Sequence, residues 1–262
     1  MTDMAKPVVI KIGGSTIGAT DTTFEDVVAL QQQGATPVVV HGGGAVITDW
    51  LKRLGVETRF VRGLRVTDEA SLQVVAAVLC GLINKDLVAT INRLGGRAVG
   101  LSGVDGALIE ARIADPDLGL VGEVVRINAA PLNALLAAGL MPVIAPVGVH
   151  VADGSALAGH LLNINADTVA GDIAAALDAD RLVFMTDVPG VLDERNQALP
   201  RLEPAAARSL IAAGTASGGM IPKLEASLRA AKAGATTQII DGREPHALLA
   251  ALSGRELGTR IG

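Results

Sequence analysis

The chain has 262 residues, of which 50% are hydrophobic, and carries a formal net charge of −5 with both signs scattered along it. It contains no run of lysine and arginine and a single cysteine, Cys80, so we expect neither nucleic-acid binding, nor an internal disulfide, nor a metal site built from cysteines. No apolar run reaches the roughly 18 residues of a membrane span, and residues 1–6 do not resemble a signal peptide, which favours a cytoplasmic protein without a membrane partner.

Predicted strands and helices alternate along the first half of the chain. In order, they are a strand at 7–12 that runs into a glycine turn, a helix at 22–33, a strand at 36–41, a helix at 45–54, an extended segment or hairpin at 56–66, a long helix at 68–93, a strand at 97–101, short strands and turns over 103–125, a helix at 131–138 and a strand at 141–147. This alternation is typical of a parallel sheet with right-handed crossovers. Thr67 could cap the long helix, and Gly95 with Gly96 could end it.

The second half repeats the alternation. Its predicted elements are a helix at 166–177, a strand at 181–186, a turn at 187–190, helices at 204–213 and 222–233, a strand at 237–240 and a helix at 245–252. We expect two lobes on an α/β framework, with an N-terminal lobe at 1–155 and a C-terminal lobe at 156–262.

Glycine-rich turns follow the first two predicted strands. Lys11 precedes Gly13 and Gly14, and His41 precedes the triple glycine 42–44. Open α/β sheets bind ligands at the carboxyl ends of their strands, and glycines let backbone N–H groups approach an anion closely. Each motif also has a plain structural interpretation, as a lysine that reaches solvent or as a tight turn. The P-loop and G-x-G-x-x-G patterns are absent, which disfavours a P-loop enzyme and a standard dinucleotide fold.

Polar residues at two further strand ends could bind a small acid. Arg65 ends the predicted hairpin, and its guanidinium could hold a carboxylate by two hydrogen bonds, although an exposed arginine on a hairpin is the ordinary alternative. Asn163 could donate to a substrate, and we interpret Asn165 as the N-cap of the next helix. Asp167 could serve the site or simply complement the helix dipole.

Lys223 is the most informative single residue of the sequence. It lies beside Pro222 in the first turn of a predicted helix, where a cation opposes the helix dipole by a few tenths to about 1 kcal/mol. An anion held at the start of that helix would explain the lysine. The four histidines show no metal-binding spacing, no G-x-S-x-G elbow is present, and Cys80 on an apolar helix face favours a core role.

These segments, in this order and at this spacing, resemble the amino-acid kinase family over nearly the whole chain. Further landmarks of the resemblance are Asn84–Lys85, Gly100–Gly103, Thr186–Val191, Gly218–Lys223 and Gly258–Ile261. The resemblance implies an eight-stranded, mostly parallel sheet sandwiched between helices, with an acid substrate in the N-terminal lobe and ATP in the C-terminal lobe.

The resemblance also implies roles for individual residues. Lys11 and Lys223 would flank the transferring phosphoryl group, and Asp167 would hold both lysines in place. The substrate would be bound by Gly43, Gly44, Arg65 and Asn163, with Arg65 on the α-carboxylate. The nucleotide site would include Gly13, Gly14, Asp187, Val188, Pro189, Gly190, Val191, Leu192, Thr215, Ala216 and Ser217.

The implied reaction is the ATP-dependent phosphorylation of the γ-carboxylate of N-acetyl-L-glutamate in arginine biosynthesis. A carboxylate is already ionised at neutral pH, so no general base is needed, and Mg²⁺ would be held largely by the ATP phosphates without a protein ligand. A kinase for α-aminoadipate or glutamate linked to a carrier protein is the nearest alternative. A non-catalytic amino-acid sensor and a nicotinamide-binding protein are alternatives from other classes; the sensor would be expected to lack Lys11, Lys223 or Asp167.

The beginning of the chain departs from one branch of the family. Only ten residues precede Lys11, whereas arginine-inhibited members carry an extra N-terminal helix that builds a hexamer. We therefore expect a homodimer that arginine does not inhibit.

Overall fold

A computed structural model of the chain describes residues 5–13, 22–61, 63–151, 157–193, 195, 197–216 and 218–262. The predicted site residues Gly14 and Ser217 and the lobe boundary predicted between 155 and 156 lie outside the described residues. The described strands are β1 (Val8–Ile12), β2 (Pro37–His41), β3 (Phe60–Val61), β4 (Leu64–Arg65), β5 (Ala98–Ser102), β6 (Ile109–Ile113), β7 (Val121–Ile127), β8 (Met141–Ala145), β9 (Val147–His150), β10 (Leu161–Ile164), β11 (Arg181–Thr186), β12 (Arg201–Leu202), β13 (Thr236–Asp241) and β14 (Thr259–Ile261).

The helices cover the faces of these strands. They are α1 (Thr23–Gln32), α2 (Gly44–Arg53), α3 (Glu69–Ala76), α4 (Asn84–Arg93), α5 (Ala130–Ala137), α6 (Ala166–Ala176), α7 (Pro204–Ala212), α8 (Met220–Lys232) and α9 (Ala247–Leu252). A π-helical segment, Ala77–Ile83, joins α3 to α4, and 3₁₀ turns occur at Asp105–Ala107 and Pro116–Leu118.

The main sheet has eight strands in the order β12-β14-β13-β11-β1-β2-β8-β5. Neighbouring strands run parallel except β13 and β14, which are antiparallel. Every residue of β1, β2 and β8 is buried, as expected for parallel strands covered on both faces by helices. The predicted eight-stranded, mostly parallel sheet between helices is therefore confirmed.

Alternation along β1 gives its two faces different partners. Ile10 and Ile12 belong to the core shared with α1, α2 and α9, whereas Val9 belongs to the core shared with α5, α6 and α8. Because successive side chains of a strand point to opposite faces, Lys11 lies on the same face as Val9. Lys11 is thereby directed toward the side of the sheet that carries α6.

A second, smaller sheet was not foreseen from the sequence. Strands β10, β7, β6 and β9 close into a barrel, where the sequence predicted short strands and turns over 103–125 and one strand at 141–147. Pro146 separates β8 from β9 because it has no N–H group for the ladder of the main sheet, and the chain turns there into the barrel. Gly148 admits close packing inside it, since a Cβ atom there would lie 2.9 Å from the Ile109 carbonyl oxygen.

The predicted helix over 68–93 is observed as one continuous helix, Glu69–Arg93. The predicted cap was wrong, because the carboxylate of Asp68 accepts from the Ser71 N–H at 2.8 Å and Asp68 is the N-cap. Thr67 is fully buried instead. Its backbone N–H donates to the Leu118 carbonyl, and its own carbonyl accepts from the Leu120 N–H. These bonds hold Thr67 beside residues 118–120, one residue before the N-cap of the helix.

By length and composition, the helix Glu69–Arg93 is apolar enough to cross a membrane, with a mean hydropathy of 1.8. Its uninterrupted apolar run covers only 74–83 and stays below 18 residues, as expected from the sequence, so the helix meets the criterion through its mean hydropathy. It is the one such helix in the described part of the chain, and a single one is weak evidence because core helices pass the same test. One of its faces is buried against the main sheet through Val75, Leu79, Leu87 and Ile91, which is the packing of a core helix.

Helices α6 and α8 pack against each other at a glycine. A Cβ atom on Gly171 of α6 would lie 2.8 Å from the Cα atom and the carbonyl oxygen of Ala226 in α8. Backbone atoms cannot yield as the end of a flexible side chain can, so the glycine sets the distance between the two helices. Asp167 lies one turn before Gly171 on α6, and Lys223 lies one turn before Ala226 on α8.

We predict that Gly171→Ala forces α8 away from α6. Overpacking of this kind should lower the free energy of unfolding by about 1–3 kcal/mol, measured by urea denaturation. Ala176→Ser, at an exposed position of α6, is the control and should stay within about 0.5 kcal/mol of the parent. An unchanged stability of Gly171→Ala would contradict the close approach.

Candidate active site

Two cavities adjoin at the carboxyl ends of the central strands. The first, of about 230 Å³, is lined by residues that include Lys11, Gly42, Gly43, Gly44, Arg65, Asn163 and Asp167. The second, of about 360 Å³, is lined by Thr186, Asp187, Val188, Val191, Leu192, Leu210, Thr215, Ala216, Gly219, Met220 and Lys223. Asp167 in the wall of the first cavity contacts Lys223 in the wall of the second, so the two cavities share a charged boundary.

That boundary is a carboxylate between two ammonium groups. Lys11 Nζ lies 2.8 Å from Asp167 Oδ1, and Lys223 Nζ lies 3.1 Å from Asp167 Oδ2. The three side chains are only 9%, 15% and 7% exposed for Lys11, Lys223 and Asp167 respectively. One carboxylate cannot neutralise two ammonium groups, and a partly desolvated charge without a partner is unfavourable. The boundary therefore favours an additional anion.

The local sequence explains how Asp167 and Lys223 reach this position. Asn165 is the N-cap of α6, as predicted, and its Oδ1 accepts from the N–H groups of Asp167 (2.9 Å) and Thr168 (3.1 Å). Asp167 thus lies in the first turn, where the helix dipole favours a carboxylate. Lys223 lies in the first turn of α8 and donates back to the Gly219 carbonyl at 3.1 Å. The pairing of Lys223 with Asp167 supplies the negative partner that its position in α8 demands.

Arg65 is buried in the wall of the first cavity, which rules out the alternative of an exposed arginine on a hairpin. Its Nη2 donates to the Gly44 carbonyl (3.0 Å) and to Thr48 Oγ1 (2.8 Å), and its guanidinium stacks over the Phe60 ring at 4.7 Å. Burial lowers the pKa of Arg65 from its ordinary value. Its Nη1 is buried without a hydrogen-bond partner in the described residues. Buried donors are normally satisfied, so an acceptor from a ligand is expected here.

The remaining predicted substrate residues also line the first cavity. Asn163 at the end of β10 donates from Nδ2 to Thr67 Oγ1 at 3.1 Å, which fixes the orientation of its amide. Gly43 and Gly44 lie at the start of α2, and that helix has no side-chain N-cap. The first N–H groups of a helix have no partner within it, so this turn can bind an anion.

The second cavity contains most of the residues predicted to bind a nucleotide. Asp187, Val188, Val191, Leu192, Thr215 and Ala216 lie in its wall. Pro189 and Gly190 belong to the same loop but do not line the cavity, since Gly190 packs against Thr259. Gly13 lines neither cavity and donates its N–H to the Met185 carbonyl at 3.3 Å. Apolar side chains from the loop and from α7 and α8 line this cavity, and apolar walls suit an aromatic base.

Thr48 and Phe60 are site residues that the sequence analysis missed. Thr48 lies one turn after Gly44 on α2, and this spacing is a signal that could have placed it near Arg65. Phe60 is one of three phenylalanines in the chain, and it is 53% exposed. The sequence gives only a weak indication that Phe60 contacts Arg65, because that contact depends on the two residues being paired across β3 and β4.

The chain is similar to known proteins over nearly its whole length. The model of the amino acid kinase family matches residues 6–241. A protein of Dehalococcoides mccartyi named acetylglutamate kinase is 48% identical over 254 residues, which are 97% of this chain and 93% of that one. An acetylglutamate kinase of Cereibacter sphaeroides is 48% identical over 246 residues, which are 92% of this chain and 82% of that one. Among solved structures, N-acetylglutamate synthase of Neisseria gonorrhoeae complexed with coenzyme A and N-acetyl-glutamate is 26% identical with a TM-score of 0.83, covering 99% of this chain and 60% of that one.

We predict that Asp167→Asn leaves two mostly buried ammonium groups without a counter-charge. Loss of one partner of a buried ion pair typically lowers the free energy of unfolding by about 3–5 kcal/mol, measured by urea denaturation at neutral pH. Asp172→Asn is the matched control, because Asp172 also lies on α6 and pairs with Arg229 of α8 at 2.9 Å, but away from both cavities. Burial raises the pKa of Asp172, so its charge contributes less stability. Equal losses in the two variants would contradict a special role of the shared carboxylate.

Proposed function

This chain belongs to the amino acid kinase family, and from that premise we propose that it transfers the γ-phosphoryl group of ATP to the γ-carboxylate of N-acetyl-L-glutamate, a step of arginine biosynthesis. The relatives named acetylglutamate kinase, 48% identical over most of both chains, support an enzyme of this type and this substrate. The structural observation that carries the proposal is the pair of lysines that share Asp167 between two cavities. That arrangement suits a reaction in which two anions must meet.

The proposed mechanism rests on alignment and charge. The substrate carboxylate enters from the first cavity already ionised, because a glutamate side chain has a pKa of about 4.3. ATP enters from the second cavity, and Lys11 and Lys223 offset the repulsion between the carboxylate and the γ-phosphate. Both carboxylate oxygens of Asp167 face ammonium groups, so Asp167 acts as an orienting anion and not as a base.

We assign Arg65 to the α-carboxylate of the substrate. Its buried Nη1 without a partner would donate to a carboxylate oxygen, while Thr48 and Gly44 hold its Nη2. Asn163 would bind the acetylated amino-acid portion, and the N–H groups of Gly43 and Gly44 would contact the reacting group. The names of the relatives at 48% identity favour free acetylglutamate over an acid linked to a carrier protein.

Mg²⁺ enters the proposal as part of the nucleotide substrate. Within the described ranges, no group of three His, Cys, Asp or Glu side chains could hold a metal ion, and Asp167 is occupied by the two lysines. We therefore assign Mg²⁺ to the ATP phosphates, where it would neutralise charge. We also propose a cytoplasmic location, since the donor is ATP and the lone Cys80 is free.

We propose a homodimer in which the helix Glu69–Arg93 packs against its copy. Over residues 70–82 this helix is mostly apolar on its exposed side as well as on the side that packs in the core, with Gln73 as the one polar exposed residue there. Its exposed positions include small or apolar residues that permit close approach of a second helix, namely Ala70, Ala77, Gly81, Leu82 and Ala89. An exposed apolar stretch often marks a surface that contacts another protein, and a second copy of the chain would bury this one.

Leu82→Glu tests the dimer. Leu82 is 39% exposed, and two carboxylates facing each other across a twofold axis should convert the dimer to a monomer, measured by light scattering after gel filtration. Val125→Glu is the control, because Val125 is 53% exposed on β7, and this variant should keep the parent mass. A Leu82→Glu protein with the parent mass would contradict this interface.

A coupled ADP-release assay tests the proposed function. With acetylglutamate, glutamate, aspartate and carbamate offered in parallel, we expect turnover with acetylglutamate to exceed the others. Lys11→Ala and Lys223→Ala should each lower that turnover by about a hundredfold or more, because each removes a charge that stabilises the transition state. Lys6→Ala, at an exposed lysine paired with Asp178, should retain the parent rate. Equal rates with all four acids, or unimpaired lysine variants, would refute the proposal.

A further inference from the structure

A buried polar cluster lies directly beneath the glycine turn of the first cavity. His41 ends β2, Asn84 begins α4, and both are 0% exposed. Asn84 Nδ2 lies 3.2 Å from His41 Nε2, and His41 Nδ1 lies 3.0 Å from the Gly42 carbonyl oxygen. Neither residue lines a cavity or has a role in the proposed reaction, although Asn84 is one of the landmarks in the sequence.

The hydrogen bonds fix which atoms carry protons. Asn84 Nδ2 donates to the Val143 carbonyl at 2.9 Å, and Asn84 Oδ1 accepts from Lys85 Nζ at 3.0 Å, so the orientation of the amide is determined. The amide nitrogen carries two hydrogens, and one of them goes to Val143. For the second, Nδ2 lies closer to His41 Nε2 (3.2 Å) than to the Leu101 carbonyl (3.4 Å), so we take His41 Nε2 as the acceptor. The Gly42 carbonyl can only accept, so Nδ1 must carry the proton.

The charge state of His41 agrees with this arrangement. The pKa of His41 is lowered to about 4, mainly by burial and to a smaller extent by the positive charges of Lys11 and Lys85, while the hydrogen bond to the Gly42 carbonyl acts in the opposite direction. The ring is thus neutral at neutral pH and holds its one proton on Nδ1. Asn84 selects this tautomer because it offers Nε2 a donor.

Room for the cluster is provided by Gly100. A Cβ atom there would overlap Asn84 Oδ1 and would lie 2.8 Å from Lys85 Nζ. On the other side, a Cβ atom on Gly43 would overlap Ile83 and lie 2.8 Å from Leu79, both of the π-helical segment. The glycine turn therefore rests on that segment and on the His41–Asn84 pair together.

The bond from His41 restricts a peptide plane that borders the cavity. In a trans peptide, the carbonyl of one residue and the N–H of the next point in opposite directions, and the described chain contains no cis peptide bond. When His41 Nδ1–H holds the Gly42 carbonyl, the N–H of Gly43 must point away from the ring.

We propose that His41 and Asn84 are positioning residues that aim the Gly43 N–H at the reacting group in the first cavity. The inference rests on the proposed function and assigns a second layer to that site. Asn84 keeps the proton of His41 on Nδ1. His41 then donates from Nδ1 to the Gly42 carbonyl and so fixes the orientation of the Gly42–Gly43 peptide, whose N–H would donate to the anion. Neither residue touches the substrate.

Two substitutions of His41 separate its two hydrogen bonds. In His41→Asn, the amide nitrogen takes the position of Nδ1 and can still donate to the Gly42 carbonyl. In His41→Gln, the amide takes the position of Nε2, so it keeps the contact with Asn84 and loses the bond to Gly42. We expect kcat of His41→Gln to fall about tenfold or more below that of His41→Asn, with KM for ATP equal in both, because the second cavity is untouched. Equal kcat values, or values that follow the melting temperatures, would overturn the proposal.

Asn84→Ala completes the test as a double-mutant cycle. In the parent it should lower kcat several-fold, because Nε2 then lacks its donor and only the Gly42 carbonyl still favours the proton on Nδ1. In the His41→Asn background it should change kcat far less, because an amide nitrogen keeps its protons. Equal losses in both backgrounds would overturn the proposal.

Nitrogen-15 NMR of the histidine ring gives a readout that does not depend on activity. The parent should show the proton of His41 on Nδ1, and Asn84→Ala should show a measurable share of it on Nε2, because only the Gly42 carbonyl then still favours Nδ1. A proton on Nε2 in the parent would overturn this inference alone, whereas a parent with the expected tautomer but without acetylglutamate-dependent ADP release would refute the proposed function.

Discussion

The rest of the site depends on the carboxylate of Asp167, which holds two ammonium groups less than 3.2 Å from its oxygens. Two lysines brought together without it would repel each other in a region from which water is largely excluded. Several features serve this one contact. Asn165 fixes the first turn of α6, Gly171 lets α8 approach, and the alternation along β1 directs Lys11 to the face that carries α6. The net positive charge that remains is what makes the boundary between the cavities suited to anions.

Elements specified by local patterns could be predicted from the sequence. The buried runs of β1 and β2, the glycine turn after β2 and the cap at Asn165 are each encoded within a few residues, and the structure contains all three. The closed barrel could not be predicted, because its strands are short and its closure depends on contacts between distant segments. The residues on either side of Pro146 illustrate why. The sequence shows one apolar run there, but it does not show that the residues before Pro146 join the main sheet and those after it join the barrel.

The site was predictable where a residue contradicts its local environment. The positive charge of Lys223 is unfavourable in the first turn of its helix, and no neighbouring residue offers a negative charge. This predicted an anionic partner from elsewhere, and the structure brings Asp167 to Lys223. His41, Thr48 and Phe60 gave no such signal, because each is unremarkable within its own segment. Their importance arises from long-range contacts, such as the stacking of Phe60 on Arg65 or the bond between His41 and Asn84. The burial of Arg65 likewise could not be read from a two-stranded hairpin.

The π-helical segment Ala77–Ile83 packs against the glycine turn on one side and is exposed on the other. Leu79 and Ile83 support the glycine turn, while Leu82 between them faces outward on the surface that we assign to the second subunit. Single π-helical turns are rare and occur frequently at functional sites. In the proposed dimer, one layer of side chains from this segment would separate the subunit interface from the glycine turn that we propose as the anion site, so a change at the interface would be felt directly at that turn.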